Sequence, residues 1–364
     1  MGLVYFVFFF LILRFSVTLF NYISRPVLPL SPKQYHDLVS VLIPARNEAK
    51  SIPALLESLH LQDYEQIEVI VLDDDSEDET YQVCAAFALI DPRFKVLRGN
   101  PLPTAWLGKN YACHQLAKLA NGKYFLFLDA DEIVKPGLIQ AAVHRMKSQQ
   151  LHLLSLFTNQ LMPSLGEKLV VPLMHFLLLN LLPLRLVRLS SNPSFSAASG
   201  QFMLFDAAHY TKHQWHEQVK GRVVEDIEIM KQLKSSKGRA ETLLANGLIY
   251  CRMYRSFGEA LSGFSKNFLA GFAYSILGLF LYLFLVLIGP LALGCFLGMN
   301  LTLLALALIC LSRVMIAYLS GQSVWWNLLL HPLQMGVMLY LAVLSMQKYL
   351  TKTIVWKGRN IPSA

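Results

Sequence analysis

Hydrophobic and polar positions fall into three regimes along the chain. Residues 1–22 are nearly all aliphatic and aromatic with Arg14 as the one charge, a run long enough to cross a bilayer. From residue 38 to about 267, short apolar runs alternate with amphipathic stretches, the pattern of an α/β domain with parallel strands. Residues 268–347 then carry a single charge, Arg313, and the runs 268–288, 291–311 and 326–346 each approach spanning length. The pattern divides the chain into a membrane anchor at 1–24, a cytosolic domain at 38–267, transmembrane helices within 268–347 and a basic tail at 348–364.

Within the middle regime, residues 39–43 read as a first strand ended by Pro44, followed by a helix over 51–61 with Ser51 as N-cap and Pro53 in its first turn. Residues 67–72 form a second strand and 79–89 a helix, with a short third strand at 94–97. Trp106-Leu-Gly-Lys-Asn110 is a glycine-containing loop opening a helix that runs to about residue 120. The run Tyr124-Phe-Leu-Phe-Leu128 is a buried strand that stops abruptly at Asp129-Ala-Asp131. Further strands are expected at 151–157 and 200–205, a helix from Glu225-Asp226 to 237, and an apolar stretch at 242–250. The Pro-rich residues 25–32 are a linker, and 170–189, interrupted by Pro172 and Pro183, is an interfacial helix lying on the membrane. The ends of three strands, near Arg46 to Glu48, Asp73 to Ser76 and Asp129 to Asp131, converge on one crevice, where ligands of open α/β sheets sit.

Composition narrows this picture. The chain of 364 residues is 54% hydrophobic, too apolar for an ordinary soluble protein. Its net charge of +8 is scattered rather than gathered into a basic run with interleaved aromatics, which argues against nucleic acid and for a membrane surface or an anionic donor. Five cysteines without C-x-x-C spacing, Cys84, Cys113, Cys251, Cys295 and Cys310, form neither a disulfide framework nor a zinc site and suit reduced thiols. No basic stretch precedes the first apolar run, so an uncleaved anchor is expected. Lys348, Lys352, Lys357 and Arg359 close to the last apolar run place the tail in the cytosol. Four crossings with a cytosolic domain would leave that tail outside, so either one carboxy-terminal segment is re-entrant or the tail charge is overruled.

The candidate chemistry lies at the strand ends. Asp129 and Asp131, with Asp73-Asp-Asp-Ser76 at a neighbouring strand end, gather carboxylates that repel one another unless a cation compensates. Hard oxygen ligands one residue apart suit Mg2+ or Mn2+ on a diphosphate. Lys109, near a helix N-terminus, and Arg252 and Arg255, three apart before the membrane runs, are assigned by charge and position to donor phosphates, and Arg46 to an ion pair or a diphosphate clamp. Glu225-Asp226 at a helix start offers a general base. His209, His213 and His216 could share a helix face, but no third ligand stands at sensible spacing and solvated or membrane-surface histidines are the expectation. No G-x-S-x-G, G-x-G-x-x-G or G-x-x-x-x-G-K-[ST] motif is present.

Val41-Leu-Ile-Pro-Ala-Arg-Asn-Glu48, Val69-Ile-Val-Leu-Asp-Asp-Asp-Ser-Glu-Asp-Glu-Thr80, Asp129-Ala-Asp131 and Glu225-Asp226, in that order, resemble the inverting family 2 glycosyltransferases with a GT-A fold. Trp106-Leu-Gly-Lys-Asn, Arg252-Met-Tyr-Arg and Trp356-Lys-Gly-Arg resemble a membrane subgroup associated with carotenoid-acid or hopanoid glycosylation. The resemblance implies that Glu48 and Asp74, with Asp73 beside it, hold the uridine of a UDP-sugar. It implies further that Asp129 and Asp131 present the metal, and that Asp226 is the base. The family usually has Gly where Asp75 stands. Arg252-Met-Tyr-Arg255 occupies the place of the Q-x-x-R-W motif of processive synthases, which favours single sugar addition to a lipophilic acceptor such as a carotenoid, hopanoid or other lipid at the cytosolic face of the cell membrane. The rival readings are a processive polysaccharide synthase, a transferase loading a polyprenyl phosphate and, outside enzymes, a transporter or scaffold. Sparse polar residues in the spans count against transport.

Overall fold

The computed structural model describes residues 2–296 and 298–353, with the backbone of 355–356 and 359–360. Of the expected basic tail, Lys357 and the side chain of Arg359 lie outside the described residues. Ten strands precede the carboxy-terminal helices: β1 (Val39–Ala45), β2 (Ile67–Asp73), β3 (Phe94–Arg98), β4 (Tyr124–Leu128), β5 (Glu132–Val134), β6 (Leu153–Phe157), β7 (Asn159–Gln160), β8 (Phe202–Asp206), β9 (Ala240–Leu244) and β10 (Ile249–Cys251). Seven form one sheet in the order β3-β2-β1-β4-β8-β6-β9. All its pairings are parallel except those of β8, which runs antiparallel to β4 and β6. The short strands β5, β10 and β7 make a second sheet in that order.

The sheet is buried on both faces, which is why its strands read as continuous apolar runs. Val39, Val41 and Ile43 point to one side and pack with Leu55, Leu59 and Val143 of the helices Ile52–His60 and Leu138–Gln149. Leu42, Ile70, Phe125 and Phe127 point to the other, against Leu116 of Gly108–Leu119 and Ile229 of Glu225–Ser235. Pro44 does not end β1. Because β4 pairs with β1 only as far as Leu42, the missing Pro44 N–H costs no ladder bond on that side. Ser51 is itself helical and makes no capping bond.

Two stretches between the regimes are tied down more firmly than their composition suggests. The Pro-rich residues 25–32 add an edge contact to β9, with Leu28 N–H donating to Leu244 O at 2.9 Å and Leu244 N–H to Pro26 O at 2.8 Å. Residues 165–189 are not one surface helix but three short ones, Leu165–Val170, Pro172–Leu181 and Leu186–Leu189, interrupted at Pro172 and again by Pro183. They dock on the N-terminal helix Gly2–Ser24. Asn21 Nδ2 donates to Leu179 O at 3.0 Å and Leu182 O at 2.9 Å, and its Oδ1 accepts from Leu184 N–H at 2.8 Å. The Asn21 side chain thus ties the N-terminal helix to this segment by satisfying three of its backbone groups.

Among the described residues three helices are long and apolar enough to cross a membrane: Val4–Ser24, Ile276–Phe296 and Met299–Leu319. The second and third lie eight residues later than the hydropathy pattern alone suggests. Ala273 and Tyr274 adopt positive φ and Ser275 caps the following helix through Gly278 N–H, so Phe268 and Phe272 stay in the turn before it. Pro290 removes a helical N–H, and the helix widens to a π turn over Phe284–Ile288 just before it. The run 326–346 is divided at Leu330 between Val324–Leu329 and His331–Thr351. The latter carries His331, Gln334, Gln347 and Lys348, and Lys348 Nζ bonds Ser265 Oγ of the helix Phe257–Asn267 at 2.7 Å.

Candidate active site

The antiparallel insertion of β8 builds the site. Because Phe202 pairs with Leu128, the entry of β8 lies at the exit of β4, where Asp129 N–H donates to Gln201 O at 3.3 Å. Gly200 therefore meets the carboxyl ends of the parallel strands, and the first turn of Glu225–Ser235 covers it. Gly200 N–H donates to Asp226 Oδ2 at 2.9 Å, and Asp226 Oδ1 accepts Ile227 N–H at 2.8 Å. A Cβ on Gly200 would stand 3.0 Å from Lys109 Nζ and 3.1 Å from Glu225 Oε1, so any larger residue would push these charged side-chain ends back by a few tenths of an ångström.

Lys109 sits between acids. Its Nζ is 2.6 Å from Asp129 Oδ1 and 3.3 Å from Glu225 Oε1. Burial alone would depress its ammonium, but Asp129 and Glu225 overrule it and hold the pKa well above the usual lysine range. Among the described residues Asp131 has no such cation: burial first, then the Asp129 and Glu48 carboxylates, push it far above the ordinary aspartate range. Asp226 is raised to about 7, by burial and then by Glu225, against the two backbone N–H bonds and Lys109 that favour its charge. Glu132, fully buried behind Asp131, is driven up by burial and by Asp131 and Asp129.

The loops after β1 and β2 interlock beside this cluster. Arg46 is buried and its Nη1 donates to Asp74 O at 2.7 Å and Asp75 O at 2.6 Å, with Asp75 Oδ2 at 3.4 Å. Asp75 has φ 59°, which explains why glycine suits the position, and its exposed carboxylate turns to Arg46. Glu48 N–H donates to Thr80 Oγ1 and Ala49 N–H to Asp78 Oδ2. Arg46 is thus a brace for the loop.

One cavity of about 1900 Å³ gathers most of the expected residues: Glu48, Asp74, Lys109, Asp129, Asp131, Glu225, Asp226, Arg252 and Arg255 all line it. Asp73 does not; it ends β2 with its backbone carbonyl accepting Gly99 N–H. Arg252 Nε binds Glu167 Oε1 at 2.8 Å, anchoring the helix Leu165–Val170 to the cavity rim. Part of the wall is apolar, with Met174, Leu177, Leu178, Phe264, Phe268 and Phe272. Phe264 apart, these residues come from 170–189 and 268–288, the two places that hydropathy had assigned to the membrane. The histidines are elsewhere; His216 is buried, against the expectation of solvation, while His209 and His213 are half-buried. His216 Nδ1 lies 2.6 Å from Tyr210 Oη, and His209 stacks between His152 and His213. Gly200, Glu132 and Cys251 carry no motif that marks them in the sequence.

Residues 40–158 match the family model described as Glycosyl transferase family 2. This part of the chain is a family 2 glycosyltransferase domain. A 4,4'-diaponeurosporenoate glycosyltransferase of Staphylococcus haemolyticus is 28% identical to the chain over 240 residues, covering 64% of this chain and 61% of the relative. The UDP-Glc:alpha-D-GlcNAc-diphosphoundecaprenol beta-1,3-glucosyltransferase WfaP of Escherichia coli is 32% identical over 114 residues, 31% of this chain and 43% of the relative. The chain therefore spans less than two thirds of the length of these relatives. A solved mannosyltransferase of Pyrobaculum calidifontis, PcManGT, in complex with GDP-Man and Mn2+, superposes with a TM-score of 0.54 at 17% identity over 94% of this chain and 99% of that one. The fold is of the GT-A type that the family resemblance implied.

Proposed function

We propose that the chain is a membrane glycosyltransferase that moves a single sugar, with inversion, from a nucleotide-sugar donor of the UDP class to a lipophilic acceptor. The observation that carries this is the mixed lining of one continuous cavity: carboxylates and arginines together with Leu177, Leu178 and Phe272. The acceptor's apolar body lies against those apolar side chains, and its nucleophile reaches Asp226. In this reading Glu48 and Asp74 face the nucleoside, Arg255 and the rim-held Arg252 face the diphosphate, and Lys109 keeps Asp129 and Glu225 charged and in place. Asp226, held by Gly200 and Ile227 N–H, takes the proton from the acceptor hydroxyl as the bond to the sugar forms.

The donor set fits a divalent cation. Glu48 and Asp129 crowd Asp131 with negative charge that no cation among the described residues offsets at Asp131 itself. Asp129 and Asp131 would hold Mg2+ or Mn2+, and the ion would neutralise the leaving diphosphate. A polyprenyl-linked acceptor is the second reading, favoured by the named acceptor of the E. coli relative. The test is UDP release from candidate UDP-sugars by the purified protein with and without membrane lipid extract. Release that requires lipid, with the sugar recovered on a lipid by mass spectrometry, supports the proposal; release indifferent to lipid, or sugar found on a growing polymer, refutes it.

A further inference from the structure

A buried carboxylate whose one neighbouring donor is the Cys251 thiol lies directly behind Asp131. Glu132, the first residue of β5, is 0% exposed, and neither of its side-chain oxygens has an N–H or O–H donor. So deep a carboxylate is costly unless something compensates it. Across the antiparallel β5–β10 pair stands Cys251, also 0% exposed, in register with Glu132. One oxygen each from Asp131 and Glu132 and the Cys251 Sγ lie within 4.8 Å of one another, near enough to share one coordination shell. Asp131 also lines the donor cavity, so an ion held here keeps coordination positions open toward that space. Asp129, by contrast, faces the Lys109 ammonium at 2.6 Å.

We propose that Asp131, Glu132 and Cys251 form a divalent-cation site at the floor of the cavity, whose sulfur ligand selects an ion of the Fe2+, Co2+ or Zn2+ class over Mg2+. Two carboxylates alone would suit Mg2+, but a thiolate is a poor ligand for so hard a cation and a good one for the later transition ions. The proposal rests on reading the cavity as metal-dependent, and adds two ligands that Asp129-Ala-Asp131 does not contain. The backbone ladder between β5 and β10 holds Glu132 and Cys251 together without help from their side chains, so the site exists before an ion enters.

The full-length protein in detergent, stripped by chelation and titrated with Co2+, tests this without any measurement of turnover. The expected result is a near-ultraviolet sulfur-to-cobalt charge-transfer band that saturates at one ion per chain and survives an excess of Mg2+. The band is lost in Cys251→Ser and kept in Cys113→Ser, the buried thiol nearer Lys109. Glu132→Gln weakens Co2+ binding by roughly tenfold or more. X-ray absorption at the metal edge of the unmodified protein reads sulfur in the shell independently of whether either variant folds. Co2+ bound with no sulfur in its shell overturns this site while leaving an ion on Asp129 and Asp131 standing. No Co2+, Mn2+ or Mg2+ bound, with or without UDP, overturns both.

Discussion

Asp226→Asn separates the proposed base from its surroundings, and the structure sets the size of each effect. Both Asp226 oxygens accept backbone N–H groups, from Gly200 at 2.9 Å and Ile227 at 2.8 Å. An asparagine can serve only one of them and turns its own NH2 on the other, a loss of about 1–3 kcal/mol. Against this, the carboxyl is pushed up to about 7 by burial and Glu225, so above neutral pH its charge is itself a burden that the amide removes. The two effects oppose, so thermal unfolding of the variant stays close to that of the parent. Rate has no such compensation: a positioned base supplies roughly 10²–10⁴-fold, or about 3–5 kcal/mol at the transition state. The assay is initial-rate transfer at saturating donor and lipid acceptor, with donor binding followed by calorimetry. kcat should fall by that factor while donor affinity is unchanged. An acceptor that arrives already ionised needs no base, so turnover retained within roughly tenfold would remove Asp226 from the role. The pH profile supplies the second half of the test. Because burial raises the group, it is protonated below about 7, and kcat/KM should climb with pH up to that value and then level off. An unshifted aspartate would leave the profile flat across the neutral range.

Two further substitutions probe the frame around the base. Gly200→Ala places a methyl 3.0 Å from Lys109 Nζ and 3.1 Å from Glu225 Oε1, both ends of flexible side chains, so the fold should survive while kcat falls by about tenfold through misplacement of the charges around Asp226; an unchanged kcat in a folded variant would show that this packing is immaterial. Glu241→Gln removes the carboxylate that Arg145 grips at 2.6 and 2.7 Å, with Arg188 at 3.0 Å and Arg185 at 3.5 Å. Glu241 is buried, and three guanidinium groups are left without it, so thermal unfolding in detergent should register a loss of about 3 kcal/mol with donor binding intact; a melting temperature equal to the parent's would contradict that.

What was legible in the sequence was what a parallel sheet imposes locally. Its strands are buried on both faces, so 67–72 and 124–128 read as apolar runs, and the carboxylates that follow them mark the ligand-bearing edge. What was not legible depends on pairings between distant segments. Nothing around Gly200 announces that β8 runs backwards beside β4, yet that direction alone brings Gly200 to Asp129 and Asp226. The pairing of Glu132 with Cys251 and of Arg252 with Glu167 joins residues far apart in the chain, and neither leaves a local spacing. Lys109 was assigned to phosphate from its sign and helix position, whereas the structure gives it two carboxylates first. The spans were displaced because hydropathy averages over Ala273, Tyr274 and Ser275, where backbone conformation and a cap decide the start of the helix.

The shifted spans also bear on how the catalytic face and the tail can share one compartment. Four crossings would set the tail lysines against the placement of the domain, but the structure offers three helices of crossing length and composition. If all three cross, parity returns the chain after Leu319 to the side that holds residues 25–275. The helix His331–Thr351 is then free to pack on that side, where Lys348 binds Ser265 of the helix Phe257–Asn267. Lys348 and Lys352 fall on the same side as the catalytic cavity, the arrangement that the positive-inside rule favours for a cytosolic domain. Phe264 comes from that same helix, and Phe268 and Phe272 from the segment before the helix beginning at Ile276, so part of the cavity's apolar lining is built just ahead of the second candidate span. On the proposed function a lipid acceptor need not leave the bilayer to meet Asp226, and the Asn21 contacts tie the N-terminal helix to residues 179–184, next to Leu178 and Leu181 of the cavity lining.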